Sequence, residues 1–421
     1  MGLIKLLMQA KNRNFQRLWL GQLISQFGDR INQLALVGLI AERAPGSAVD
    51  LAKLLAFTII PVFIVQPFAG VFVDRWDRRT TLFVCDLIRG LLVLTIPMCF
   101  FFSRSMIPIY FIVFLVFCFS RFYIPAKMSI LPDIVEIENL LMANSLVSTT
   151  GMIAFVLGCA LGGFLIDWFG ARNGFLIDAV TFFVSGVFVF SIDMSQRLKI
   201  TKGKLLKTGK EWMGPIKSSV WQEIREGFVY LVQHREIRFV IAMLFILLSA
   251  AGAVYVVIIV FIQQSFHSVT KHLGMQAVCL GAGLFLGALA YGRWGKRLHW
   301  HETIFSCLTA GGLMLTAFAW MVHHYPNVWM AGALAAVMGF VIGPIFIASN
   351  TMVQLVSNDA MRGKVFSALE IVIHFAFLIS MLISSWLSEH VGRVWILTTV
   401  GGVLAVVGMV GMFKKPLKDH R

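Results

Sequence analysis

The sequence predicts an all-α membrane protein, with twelve transmembrane helices arranged as two six-helix bundles. Three observations predict it. Apolar residues make up 58% of the 421 residues and charged residues 14%, and the mean hydropathy is +0.82. Soluble domains do not have this composition. Twelve apolar stretches have the roughly 17–25 residues that cross a hydrocarbon core as a helix. The cations are one-sided. With both termini taken as cytoplasmic, Arg43, Lys53, Arg104, Arg172, Lys271 and Arg393 lie outside and Arg30 and Arg89 lie within helices; every other Lys and Arg of the 36 lies inside. That is the positive-inside pattern of a multi-pass protein of the cell (inner or plasma) membrane. Anionic lipid and this topology account for the +15 charge, so nucleic acid is not needed as a partner.

The elements follow in chain order. Residues 1–14 are short, basic and amphipathic, which suits the inner interface, and no cleavable signal peptide is apparent. Span 1 covers 18–40 and carries a polar stripe. Gln22, Ser25, Gln26, Asp29, Asn32 and Gln33 recur at spacings of three and four, so they share one helix face. Asp29 lies about 16 Å along the axis from Leu18, near the middle of the hydrocarbon. Span 2 (52–73) leads into Arg75-Trp76-Asp77-Arg78-Arg79. Span 3 (81–102) holds Asp86 and Arg89. Span 4 (106–124) ends near Arg121, just before Pro125. Spans 5 and 6 (144–166 and 173–192) contain Gly158, Gly162 and Gly163, which permit close helix packing, and Asp178, read as a helix-start or packing feature. A basic loop follows, with cations from Arg197 to Arg238. Spans 7–12 cover 238–262, 274–292, 303–322, 327–348, 367–388 and 394–413. The six cysteines fall within spans at no metal-ligand spacing, which suits core positions. His299, His301, His323 and His324 are placed in solvated loops.

The loop 193–237 separates a first bundle with its amphipathic N-terminal segment (1–192) from a second (238–421). The halves look duplicated. Arg75–Arg79 after span 2 matches Arg293-Trp294-Gly295-Lys296-Arg297 after span 8 at an offset of 218. Ser129–Val135 after span 4 matches Asn350–Val356 after span 10 at 221. Parallel six-helix repeats are a transporter architecture whose substrate site lies near the midplane between the halves.

Each candidate residue has two readings. Intramembrane Asp29 is a protonatable coupling site, or one half of a fixed ion pair with Arg30 or Arg89. Arg30, about 100° round the helix, binds an anionic substrate group or serves as that counter-ion. Gln22, Gln26, Asn32 and Gln33 supply polar groups to an amphiphile in a largely apolar pocket. Asp86 and Arg89, at i and i+3, can satisfy each other structurally or exchange partners during a conformational change. Glu370 and His374 share a face of span 11 and can relay a proton or simply pack. No third ligand lies close in sequence to make them a metal site. No phosphate-binding loop of the Walker type is present, and the charges show no nucleophile–base pattern. Neither an enzyme nor a cofactor is expected.

These motifs resemble the major facilitator superfamily, in particular its proton-driven exporters. Gly70-Val71-Phe72-Val73-Asp74-Arg75-Trp76-Asp77-Arg78-Arg79 is similar to the superfamily's signature loop between helices 2 and 3. NFQRLWLGQLISQFGD (14–29), VDRWDRR (73–79), DLIRG (86–90), PAKMSILPDIV (125–135), ANSL (143–146) and MRGKVFSALE (361–370) resemble the branch of macrolide-efflux proteins and the enterobactin exporter. The resemblance implies the major facilitator fold and export of an amphipathic small molecule, drug-, macrolide- or siderophore-like, by proton antiport. It also implies a cytoplasmic gate of Gly70, Asp74, Arg75, Arg78 and Arg79 packing on helix 11, and a proton-assisting role for Arg121. The expected partners are that substrate, protons and membrane lipids, with the protein a monomer. PAKMSIL also looks like the lysophospholipid transporters, so a lipid flippase is the alternative. A transport-dead sensor or scaffold is a second. Two departures stand out: the exporters' helix 5 signature lacks its proline at 158–163, and the second copy of the loop has Gly292 where Asp74 stands.

Overall fold

The computed structural model describes residues 13–102, 105–136, 139–194, 235–295, 299–356 and 359–413, and among these it contains helices and turns but no strand. The elements are α1 (Arg13–Arg43), α2 (Ala48–Ile64), α3 (Gln66–Arg75), α4 (Arg78–Phe102), α5 (Ile107–Ile134), α6 (Leu140–Phe190), α7 (Arg235–Phe266), α8 (Lys271–Trp294), α9 (Trp300–His324), α10 (Val328–Val356), α11 (Asp359–Val391) and α12 (Arg393–Met412). Two of these differ from the expected spans in a way that leaves twelve crossings. Span 2 is broken into α2 and α3 at Val65, because Pro67 in the first turn of α3 lacks the N–H that would continue the ladder. Spans 5 and 6 run together as α6, interrupted at Gly170, whose φ of 79° and ψ of 162° are non-helical. The positive φ is open to glycine at little steric cost.

Several helices overrun their apolar stretches, since backbone hydrogen bonding does not stop where side chains turn polar. Arg121 does not end its helix. α5 continues to Ile134 through Pro125 and Pro132, as helices in membranes tolerate when neighbouring groups satisfy the freed backbone. His301 and the pair His323 and His324 lie within α9, not in loops. His301 is buried, its ring centroid 4.7 Å from that of Phe305. The N-terminal segment 1–12 and the linker's 195–234 lie outside the described residues.

The chain forms two compact units that do not follow the sequence halves. One gathers the described residues of 1–33, 57–158 and 172–223; the other gathers those of 34–56, 159–171 and 224–421. The first is centred on Phe15, Leu18, Leu82, Tyr123, Ile130 and Val189, all buried. The second has a core around Leu247, Ile304, Leu308, Ile345 and Leu404. Lipid tails are as apolar as leucine, so helices in a bilayer associate through close packing rather than water exclusion. In the second unit α8 and α10 meet backbone to backbone. A Cβ on Gly283 would lie 1.9 Å from the Ala336 carbonyl oxygen, and one on Gly339 would lie 2.2 Å from that of Leu280.

Candidate functional site

The polar stripe of α1 divides when its neighbours are in place. Gln22 (1% exposed), Ser25 and Asn32 are buried within the first unit, while Gln26, Asp29, Arg30 and Gln33 keep accessible surface. Gln22 donates to the Tyr123 hydroxyl on α5 and accepts from Gln26 (3.3 Å). Trp19 donates its indole N–H to Thr150 Oγ1 (2.7 Å) on α6. These bonds fix the azimuth of α1, and so fix where Asp29 points.

Asp29 lies within electrostatic reach of Arg89, Arg30 and Lys127. Among the described residues no hydrogen bond or ion pair holds it. Arg30 turns the other way. Its Nη1 donates to Gln33 Oε1 (2.9 Å), its guanidinium lies 5.1 Å from the Phe155 ring centroid, and a Cβ on Gly158 would lie 2.6 Å from its Cβ. Small Gly158 is what lets the arginine stem pass between α1 and α6.

Asp86 and Arg89 on α4 satisfy each other. Arg89 Nη2 donates to Asp86 Oδ1, and Ser185 Oγ on α6 donates to Asp86 Oδ2 (2.8 Å). The guanidinium sits between the Tyr123 and Phe182 rings, 4.3 Å from each centroid. Both side chains are almost wholly buried. A desolvated pair survives when its remaining donors and acceptors are met, and here the serine and two aromatic faces meet them.

Sequence reasoning did not single out Lys127, and it read Asp178 as a helix-start or packing feature. Asp178 is fully buried, with Thr181 Oγ1 donating to its Oδ1 (3.3 Å) and Asn32 of α1 beside it. A Cβ on Gly28 would lie 2.6 Å from Asp178 Oδ1, so α1 approaches the acid at a glycine. Lys127 lies on α5 and acts on Asp29. The signal for Asp178 was a charge inside an apolar stretch, whereas Lys127 lies just past the end of span 4, and periodicity does not say which helices become neighbours.

The remaining candidates sit apart from this cluster. Arg121 donates to Gln66 Oε1 (3.4 Å). In the second unit His374 Nδ1 lies 3.2 Å from Glu370 Oε2 and 2.8 Å from the Glu370 carbonyl oxygen, one turn back on α11. A Cβ on Gly163 would lie 2.9 Å from the Thr270 carbonyl oxygen, and Gly162 is buried. In the signature loop Arg78 pairs with Asp133 (2.6 Å) in the PDIV segment of α5, and Arg79 donates to the Phe190 carbonyl. Asp77 accepts from the Thr80 N–H (2.8 Å) at the start of α4. The side chains of Gly70, Asp74 and Arg75, and of α11 up to Ala368, lie outside the described residues, so the expected Asp74 gate does too.

Comparisons with known proteins agree with this architecture. The profile described as Major Facilitator Superfamily matches residues 18–368 and 239–421. The chain is 26% identical over 411 residues to the "Uncharacterized MFS-type transporter YfiS" of Bacillus subtilis (strain 168), covering 95% of this chain and 93% of that protein. It is 24% identical over 414 residues to the "Putative bacilysin exporter BacE" of Bacillus subtilis, covering 94% of each. Among solved structures, a bacterial homologue of the iron transporter ferroportin in the inward-facing state superposes with a TM-score of 0.73 at 15% identity, over 96% of this chain and 100% of that one. The nucleoside transporter NupG superposes at 0.72 with 12% identity, over 96% of this chain and 100% of that one. Relatives and fold neighbours alike are transporters rather than enzymes, and this multi-pass membrane protein belongs to the major facilitator superfamily.

Proposed function

We propose that the protein exports an amphipathic small molecule across the cell membrane in exchange for protons, by alternating access around the polar face of α1. The observation that carries this reading is Asp29. It lies mid-helix, in the field of Arg89, Arg30 and Lys127, with no ion pair among the described residues to hold it. An intramembrane carboxylate left outside a closed pair is a site for an exchangeable cation. Asp86, by contrast, is closed by Arg89 and Ser185. Asp29 therefore binds proton and substrate in turn, and the partly buried Gln26, Arg30 and Gln33 offer polar contacts beside it. The signature loop holds the cytoplasmic gate. A relative designated an exporter supports the outward direction. Both termini are placed in the cytoplasm by the cation bias.

The test is uptake into inside-out vesicles under an imposed pH gradient, with amphiphilic dyes, a macrolide and lysophospholipid as probes. Gradient-dependent uptake that is lost in Asp29→Asn supports the reading. Uptake indifferent to both the gradient and the substitution sinks it and leaves a facilitated lipid flippase.

A further inference from the structure

The second unit carries one arrangement twice. Asp167, near the end of the first arm of α6, accepts at Oδ1 from Val269 N (3.0 Å), Thr270 N (3.4 Å) and Ser268 Oγ (3.4 Å). These groups belong to the three residues that lead into α8, whose N-cap is Thr270. Glu389, near the end of α11, accepts at Oε1 from Val49 N (3.0 Å) and Ser47 Oγ (3.1 Å), the groups that open α2. Each serine also accepts from its own helix, Ser47 from Asp50 N (3.1 Å) and Ser268 from His272 N (3.4 Å). The first N–H groups of a helix lack partners within it, and the dipole there favours an anion. Both carboxylates are exposed, so these bonds can exchange with water.

The two caps cross between the sequence halves. Asp167 belongs to the first half and caps a helix of the second; Glu389 does the reverse. They are also copies of one another. Asp167 and Glu389 stand 222 residues apart, Gly170 and Gly392 likewise 222, and Ser47 and Ser268 stand 221 apart. These lie within four residues of the 218 and 221 offsets of the two matched loop segments. Gly170 and Gly392 both have positive φ, 79° and 100°. Each turns the chain three residues after its acid. Beneath the Asp167 cap the helices touch at backbone level. A Cβ on Gly274 would lie 2.2 Å from the Cys159 carbonyl oxygen, and Thr270 Oγ1 donates to the Gly163 carbonyl (2.9 Å). Arg393 adds a further tie across the halves, donating to the Gly46 carbonyl, and is steadied by a second bond to Gln264 of its own half.

We infer that Asp167 and Glu389 form a duplicated, reciprocal latch that holds the two sequence halves together at this end of the molecule, and that both caps break when the transport pathway opens there. The cation bias places this end outside. The latch goes beyond the proposed export reaction and depends on neither substrate nor coupling ion.

The test uses the full-length protein with Cys159 as reporter, since it is 7% exposed at the α6–α8 contact. Cys85, Cys99, Cys118, Cys279 and Cys307 are replaced by serine, and a membrane-impermeant maleimide is applied from each side in turn. Asp167→Ala and Glu389→Ala should each raise the labelling rate from the latch side about fivefold, the effect of losing one cap. The double variant should raise it roughly 25-fold if the caps act independently. Asp167→Asn should stay within about twofold of the parent, because asparagine is an equally good cap acceptor. An unchanged rate in the double alanine variant, or a rise only from the opposite side, overturns the latch. If the alanine variants do not insert, Ser47→Ala with Ser268→Ala removes one donor from each cap and should raise labelling about twofold; no rise there overturns it equally.

Discussion

Arg89 shows how differently two intramembrane acids are treated. It closes on Asp86, and two aromatic faces cover what the carboxylate leaves. Removing one member of such a pair strands the other. Arg89→Met is expected to destabilise the protein by about 3–5 kcal/mol, read as a lower unfolding temperature in detergent. The double variant Asp86→Leu/Arg89→Met should recover much of that loss, and a double variant no better than the single would show that the pair contributes more than mutual neutralisation. Asp29 should behave otherwise. Asp29→Asn is expected to leave the unfolding temperature within about 2 °C, a surface-sized effect, while abolishing gradient-driven transport. The spacing of Asp86 and Arg89 made their pairing legible in the sequence. The isolation of Asp29 was not legible, nor was the burial of Asp178, because both depend on which residues of α5 and α6 face α1.

Helices in this chain are separated by how closely they approach, and glycine sets that distance. α8 and α10 leave no room at Gly283, where a Cβ would already meet the Ala336 carbonyl oxygen. Gly283→Leu should cost about 1–3 kcal/mol through overpacking, measured as a fall in folded yield and unfolding temperature. Gly292 has nothing within 4 Å of a Cβ position, so Gly292→Ala should be neutral in the same assay. Equal losses at both would show that helix propensity rather than close approach governs. The same scale shows why span boundaries read from hydropathy are short. Hydropathy records where side chains leave the hydrocarbon, but α5 keeps its hydrogen bonds past Pro125 and Pro132 to Ile134. At Gly170 and Gly392 it is a conformational break, a positive φ, that interrupts or ends the helix.

Across the molecule, two first-half segments, 34–56 and 159–171, pack with the second half. Co-expression of 1–192 and 235–421 as separate chains should therefore yield fragments that co-purify, because Asp167, Glu389 and Arg393 bind across the halves without the linker. Fragments that purify singly would contradict this. Composition, the cation bias and the repeat were enough to establish a twelve-span transporter-like chain, because insertion into a bilayer depends on the hydropathy and charge of each segment taken alone. They also marked the signature loop and the stripe on α1. The tertiary structure decided what the segments do together. It sorted the stripe into buried Gln22 and Asn32 and accessible Asp29, closed Asp86 on Arg89, brought Asp178 and Lys127 into the cluster, and seated two duplicated carboxylates on helices of the opposite half. A pattern within one helix is set by its own period. A contact between helices is set by the packing of both, which no local pattern contains.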